Sequence, residues 1–167
     1  GSTRSPLDYY RTPAWCVRAL WATCLDIREV SEVYDPACGD GAILLALREL
    51  DPAPGLHLYG SDVDPARLDE ALANDVDAFR RDFLVGREPT SLSGVLDRSA
   101  VVMNPPYSMA GAFVRQAIHI GKRRSPVAAL LRIAFLASQG RAEWLAADAP
   151  DVYVLPRRPD FTGGGGD

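Results

Sequence analysis

Lysine is almost missing from this chain: of 18 basic residues only Lys122 is a lysine, and the rest are arginines. Cysteine, histidine and methionine are scarce too, at three, two and two among 167 residues. Cys16, Cys24 and Cys38 form no CxxC pair and only His57 and His119 are available beside them, so no zinc-ligand set can be drawn and no metal is expected. With no charged-then-apolar pattern at the start of the chain, the thiols are expected to be free in a reducing cytoplasm. No apolar run approaches the roughly 18 residues that a bilayer span requires, which excludes a membrane-spanning helix. A basic surplus is lacking as well. Eighteen basic against 22 acidic residues leave a net charge of −4, so the surface as a whole carries no footprint for a polyanion. A nucleic-acid role has to rest on a local basic face or on a partner. The preference for arginine, together with many alanines, reads as GC-rich coding as readily as phosphate recognition.

What is present describes an ordinary globule. The chain is 47% hydrophobic, 24% charged and 8% aromatic, and a length near 170 residues suits a single domain that buries about 70% of its unfolded surface. Gly1-Ser2 reads as a tag remnant. Residues 1–12 are expected to be an N-terminal segment, 13–161 one domain, and 162–167 a flexible glycine-rich tail.

Along the chain, strands and helices alternate. Thr12-Pro13 reads as an N-cap followed by proline at the first helical position, opening a helix to about Asp26. A strand over 30–34 ends at Asp35, and Pro36-Ala37-Cys38-Gly39-Asp40-Gly41 turns the chain into an apolar helix over 42–50. A second strand over 56–60 ends at Ser61-Asp62, and Asp64-Pro65 caps a helix to about Ala73. Further strands are expected over 76–79, 100–103, 127–133 and 152–155, with helices over 111–120 and 141–147. The pattern is that of an α/β fold with a doubly wound, mostly parallel sheet and helices on both faces, whose ligands bind outside the carboxyl ends of the strands. Asp35 to Gly41, Asp62, Asp82-Phe83 and Asn104 to Tyr107 all fall at such ends, and they should converge on one crevice.

The glycine turn fits neither phosphate cradle. A dinucleotide GxGxxG would need glycine where Leu44 stands, and a phosphate loop would need a GK[ST] ending. The turn still admits a ligand close to the backbone. Asp62, 21 residues beyond Gly41, stands where an acid would accept hydrogen bonds from ribose hydroxyls. A ligand with a ribose but no pyrophosphate follows. In Asn104-Pro105-Pro106-Tyr107 the prolines fix the backbone and cannot extend the strand, which leaves the Asn104 amide oxygen and the Pro105 carbonyl as paired acceptors. A planar NH2 group offers the matching donors, and Tyr107 a flat face on which a planar group stacks.

At these residues the chain resembles the S-adenosylmethionine-dependent amino-methyltransferases that modify adenine N6 or cytosine N4 in DNA. The resemblance is nearest to compact phage or prophage adenine methyltransferases. It runs through Asp35 to Gly41, Asn104 to Tyr107, Tyr10-Arg11-Thr12-Pro13, residues 128–137, and Val154-Leu155-Pro156-Arg157-Arg158-Pro159-Asp160-Phe161. It implies a Rossmann-like class I methyltransferase fold with S-adenosylmethionine as cofactor. Thr12, Asp35 and Gly39 would surround the methionine end, and Tyr10, Pro36, Ala37, Cys38, Gly41 and Asn104 would also bind the cofactor. Asp62 would hold the ribose, and Val63, Asp82 and Phe83 would frame the adenine. Asn104, Pro105, Pro106 and Tyr107 would be the catalytic group, and Tyr107 and Phe161 would stack on a flipped adenine while Arg157 and Arg158 meet phosphate. The implied reaction is direct methyl transfer to N6 of adenine in duplex DNA, in a bacterial or phage-infected cytoplasm, with no thiolate. The family's last antiparallel strand and separate recognition region have no counterpart before Asp167, so a recognition partner or a further segment is expected.

Three alternatives stay open at this stage: methylation of RNA adenine, methylation of a protein glutamine, and a noncatalytic cofactor-binding subunit. The Lys122-Arg123-Arg124 cluster reads as a solvated loop or a phosphate contact.

Overall fold

The computed structural model describes residues 9–24, 28–50, 55–85, 99–121 and 125–161. Its elements are α1 (Ala14–Thr23), β1 (Glu32–Asp35), α2 (Ala42–Leu50), β2 (His57–Asp62), α3 (Pro65–Ala73), β3 (Asp77–Arg80), β4 (Ser99–Met103), α4 (Ala110–Ile120), β5 (Val127–Ala129) and α5 (Gln139–Ala147). A short 3-10 turn, Ile133–Phe135, lies between the last two. The strands form one parallel sheet in the order β3-β2-β1-β4-β5. Because β1 pairs with β2 on one side and β4 on the other, the chain reverses its direction of winding between them. Such a reversal opens a crevice at the carboxyl ends.

The period-two alternation of the strands sorts the core into two faces. Val33, Ala100 and Val102 point to one face, where they meet Val17 of α1, Ile43, Leu44 and Leu47 of α2, and Leu68 and Ala71 of α3. Tyr34, Val101 and Met103 point to the other and meet Phe83 and the Phe113, Ala117 and Ile120 side of α4. The buried Tyr34 hydroxyl shares a hydrogen bond with Ser61 Oγ at 2.6 Å, so the polar tip of a large core side chain is satisfied. No helix among the described residues is long and apolar enough to cross a membrane.

Several expected elements appear as expected. The helix over 42–50 is α2, and α3 starts where Asp64 accepts from the Ala66 amide at 3.0 Å, with Pro65 at its first position. Other expectations need correction. Thr12 does not cap α1: the cap position is Pro13 and no side chain bonds there. The helix ends at Thr23, whose hydroxyl donates back to the Ala19 carbonyl at 2.7 Å; Asp26 lies outside the described residues. The expected strand over 127–133 stops at Ala129. Its ladder partner β4 ends at Met103, and beyond Asn104 two prolines supply no N–H for further rungs. The last bond runs from Leu130 N to Met103 O at 2.9 Å, after which the chain turns into the 3-10 segment. Residues 152–155 form no strand. A run of apolar residues permits a strand, but no described strand forms a ladder with this stretch, and Val152 and Val154 are 53% and 82% exposed. The Lys122-Arg123-Arg124 cluster and the glycine-rich tail fall outside the described residues.

Candidate active site

A cavity of about 280 Å³ opens at the carboxyl ends of the strands, where the crevice was expected. It is near the lower bound of small-molecule pockets, about 300 Å³. Its floor is the turn after β1. Asp35 Oδ1 accepts from the Ala37 amide at 3.0 Å, Cys38 N donates to the Ser61 carbonyl at 3.0 Å, and Gly41 N donates to the Cys38 carbonyl at 2.8 Å. The turn requires glycine at two points. Gly39 and Gly41 have φ of +54° and +84°, and a Cβ at Gly41 would stand 2.6 Å from Val76 Cγ2.

Asp62, at the end of β2, divides its carboxylate between two backbone groups. Oδ2 accepts from Gly39 N at 2.9 Å and Oδ1 accepts from Asp64 N at 3.0 Å. It therefore clamps the glycine turn against the start of α3, and keeps lone pairs for a ligand hydroxyl. Asp35 differs. It is 1% exposed, its Oδ2 has no hydrogen-bond partner, and its carboxyl is pushed up to about 8, first by burial and further by the charge of Asp62, against the Ala37 amide that lowers it. An orphaned acceptor lining a cavity calls for a donor, best a cationic one. The neighbouring Cys38 thiol is likewise raised, by burial and then by Asp35 and Asp62, so it is no thiolate at neutral pH.

The far wall comes from the segment after β3 and from α4. Asp82 Oδ1 accepts from Leu84 N at 3.0 Å, which fixes the turn that carries Phe83. Phe83 is 3% exposed and packs between Tyr34, at 6.0 Å, and Phe113, at 5.3 Å between centroids. Val63 is 39% exposed and lines the cavity beside Asp64 and Arg67.

Above the cavity stands Asn104. Its Nδ2 donates to the Tyr10 carbonyl at 2.9 Å and to Thr12 Oγ1 at 3.0 Å. A carbonyl only accepts, so these partners decide which end of the amide is nitrogen. Both amide hydrogens are used, and Oδ1 is left as the available acceptor. The expected N-cap hydroxyl of Thr12 is spent here, 92 residues away in sequence.

Of the residues singled out in the sequence, Tyr10, Thr12, Asp35, Pro36, Ala37, Cys38, Asp62, Val63, Asp82, Phe83, Asn104 and Pro106 line this one cavity. Gly39 and Gly41 shape its floor without lining it, and Pro105 is fully buried. Tyr107 and Phe161 form an adjoining aromatic cluster reached through Tyr10, which stacks on Tyr107 at 5.4 Å and meets Phe161 at 5.3 Å. Arg157 is held 4.8 Å over the Trp15 ring, and the charge of Arg158 reaches the Tyr107 hydroxyl. Tyr107 is raised by burial, with Arg132 and Arg158 opposing.

Sequence reasoning missed four contributors. Tyr9 lies against Gly39, Arg67 sits 4.0 Å over the Tyr9 ring, and Arg11 Nε donates to Asp40 Oδ2 at 2.6 Å. Arg132 sits 4.5 Å over Tyr107. Asp40 was visible as part of the glycine turn, but nothing in the sequence pairs it with Arg11, 29 residues away.

No protein-family model and no curated protein matches this sequence. Solved structures do match in fold. The methyltransferase subunit of a type I restriction-modification system from Streptococcus thermophilus superposes with a TM-score of 0.61 at 17% identity, over 80% of this chain and 36% of that one. A candidate class I S-adenosylmethionine-dependent methyltransferase from Listeria monocytogenes gives 0.55 at 18%, over 79% and 49%. TrmN from Thermus thermophilus gives 0.52 at 20%, over 82% and 40%. The chain thus spans less than half the length of each of these three structures. Its parallel sheet with flanking helices is the Rossmann-like fold of class I methyltransferases.

Proposed function

We propose that this chain is an S-adenosylmethionine-dependent methyltransferase that acts on the exocyclic N6 of adenine in duplex DNA. The observation that carries the reading is Asn104, whose two amide hydrogens are held by the Tyr10 carbonyl and Thr12 Oγ1 so that Oδ1 is left as an acceptor; the Pro105 carbonyl is the second acceptor that this reading assigns. The fold likeness to a restriction-modification methyltransferase subunit supports it.

The residues of the cavity fit the cofactor. The unpartnered Oδ2 of Asp35 suits an α-amino group, Asp62 a pair of ribose hydroxyls, and the Val63, Asp82 and Phe83 wall a flat purine. Bound there, S-adenosylmethionine supplies an electrophilic methyl on a sulfonium. The chain's own residues do the rest. The adenine nitrogen is a weak nucleophile because its lone pair is shared with the ring. Accepting its two N–H bonds at Asn104 Oδ1 and the Pro105 carbonyl favours a tetrahedral nitrogen with the pair directed outward. Catalysis on this scheme is positioning and hydrogen bonding, with no side chain attacking. The target base has to leave the duplex to arrive, and on this reading Tyr107 and Phe161 stack on it, with Tyr10 or Arg132, which lie against Tyr107, giving way. The site of action is the cytoplasm of a bacterial or phage-infected cell, where a partner supplies target recognition.

Incubation with labelled S-adenosylmethionine and, in parallel, duplex DNA, structured RNA and cell protein tests the reading. N6-methyladenine in DNA is expected. Label confined to RNA, to protein or to 5-methylcytosine would overturn it. Asn104→Ala is expected to lower turnover by at least about 100-fold, a larger factor than its loss of affinity for S-adenosylhomocysteine, measured by calorimetry. Full activity in that variant would sink the role of the amide.

A further inference from the structure

The segment before α1 crosses the cavity as a strap, residues 9–12, and it touches both halves of the site. On the glycine-turn side, the Tyr9 ring lies so close to Gly39 that a Cβ there would come within 2.2 Å of Tyr9 Cε2. Arg11 Nε donates to Asp40 Oδ2 at 2.6 Å, and Arg67 of α3 covers the Tyr9 ring at 4.0 Å. On the other side, Tyr10 stacks on Tyr107, and the strap accepts both hydrogens of the Asn104 amide. Thr12 is 6% exposed and caps no helix, so its buried hydroxyl finds its use at Asn104.

We infer that Thr12 is a positioning residue for Asn104, and that the strap couples the cofactor end of the cavity to the orientation of this amide. The inference rests on the methyl-transfer reading for its consequence but not for its geometry. A primary amide has two orientations, related by a half turn about its last torsion. One presents oxygen to the target amine, the other presents NH2 and sets donor against donor. The Tyr10 carbonyl pairs only with the NH2 end and so selects the orientation, and the Thr12 hydroxyl accepts the second hydrogen and holds the amide in place. Without the hydroxyl a single anchor remains; with the strap lifted there is none. Since Tyr9 and Arg11 seat the same strap on Gly39 and Asp40, a ligand that orders the glycine turn also holds the amide in its productive orientation.

Two variants separate this from a packing role: Thr12→Val keeps the shape and loses the acceptor, while Thr12→Ser keeps the acceptor. In the 167-residue chain, Thr12→Val is expected to lower kcat at saturating cofactor about tenfold, the worth of one hydrogen bond, and to weaken cofactor Kd by a smaller factor, since the coupling is reciprocal. Thr12→Ser restores most of the rate. Solvent-exchange NMR on 15N-labelled protein reads the amide directly. The Asn104 side-chain hydrogens, assigned by their loss in Asn104→Ala, are both protected in wild type and Thr12→Ser, and one of them is exposed in Thr12→Val while the Tyr10 carbonyl keeps the other. Arg11→Ala, which does not touch Asn104, speeds their exchange, and S-adenosylhomocysteine slows it. Unchanged protection in Thr12→Val overturns the positioning role, and unchanged exchange in Arg11→Ala overturns the coupling. A parallel loss of kcat and cofactor affinity in Thr12→Val makes Thr12 a cofactor contact instead. If wild type methylates no substrate, the proposed function fails, and the exchange measurements still decide the role of Thr12.

Discussion

Asp35 is the residue whose chemistry the surrounding structure changes most. Its carboxyl has an ordinary value of 3.8 and is pushed up to about 8 by burial beside Asp62. A carboxyl that ionises more reluctantly when folded contributes stability in its neutral form. That contribution is complete below about 3.8 and is lost as pH rises through about 8. The ligand-free protein should therefore lose on the order of a few kcal/mol between these limits. Asp35→Asn should flatten that slope and raise the melting temperature at pH 8, read by calorimetric scans at pH 5 and pH 8. A cationic group placed at Oδ2 reverses the preference and favours the carboxylate. Binding of S-adenosylhomocysteine at pH 7 should then release a fraction of one proton, measured by titration calorimetry in buffers of different ionisation enthalpy. No release would separate the Asp35 carboxyl from the ligand amine. The sequence placed Asp35 at a strand end, but its burial and its orphaned oxygen come from neighbours it cannot announce.

At the scale of elements, the clearest constraint lies where β1 and β2 run side by side. Gly60 is paired with Asp35 in the sheet register, and a Cβ at Gly60 would stand 2.5 Å from Cys38 Cβ. The glycine turn needs that space to fold back over β2. Gly60→Ala should cost about 1 to 3 kcal/mol through overpacking and weaken cofactor affinity along with stability, both followed by urea denaturation with and without S-adenosylhomocysteine. A stability loss that leaves affinity intact would detach this packing from the site. The helices α2 and α3 were legible because their signals are local: a run of apolar residues on one face and an Asp-Pro cap. The end of β5 and the loss of a strand over 152–155 were not, because a ladder depends on what lies alongside. The two prolines after Asn104, read as a catalytic feature, also end the pairing available to β5.

For the whole molecule the question is charge. A net −4 repels a polyanion, yet Arg132, Arg157 and Arg158 gather around Tyr107, Phe161 and Trp15. Two of the three were read from the sequence as phosphate contacts; Arg132 was found only in the fold. Arg157→Ala and Arg158→Ala should each weaken duplex binding uniformly across sequences and reduce the slope of log affinity against log salt by about 1, measured by fluorescence anisotropy. Unaltered slopes in both would move the phosphate track elsewhere. Described residues 125–161 bury no side chain fully, so Arg132 and Arg157 are held by ring contacts and not by a packed core.

The sequence by itself determined the alternation of strands and helices, the glycine turn, and the acid, amide and proline motifs at strand ends. Those features depend on hydrophobic period, capping and backbone chemistry within a few residues. Only the tertiary structure decided that Thr12 bonds Asn104 and caps nothing, that Arg11 meets Asp40, and that Arg132 covers Tyr107. These partners lie from 25 to 92 residues apart. Hydrogen bonds and ring contacts are set by distances in space, and the parallel crossovers of the sheet bring these groups together.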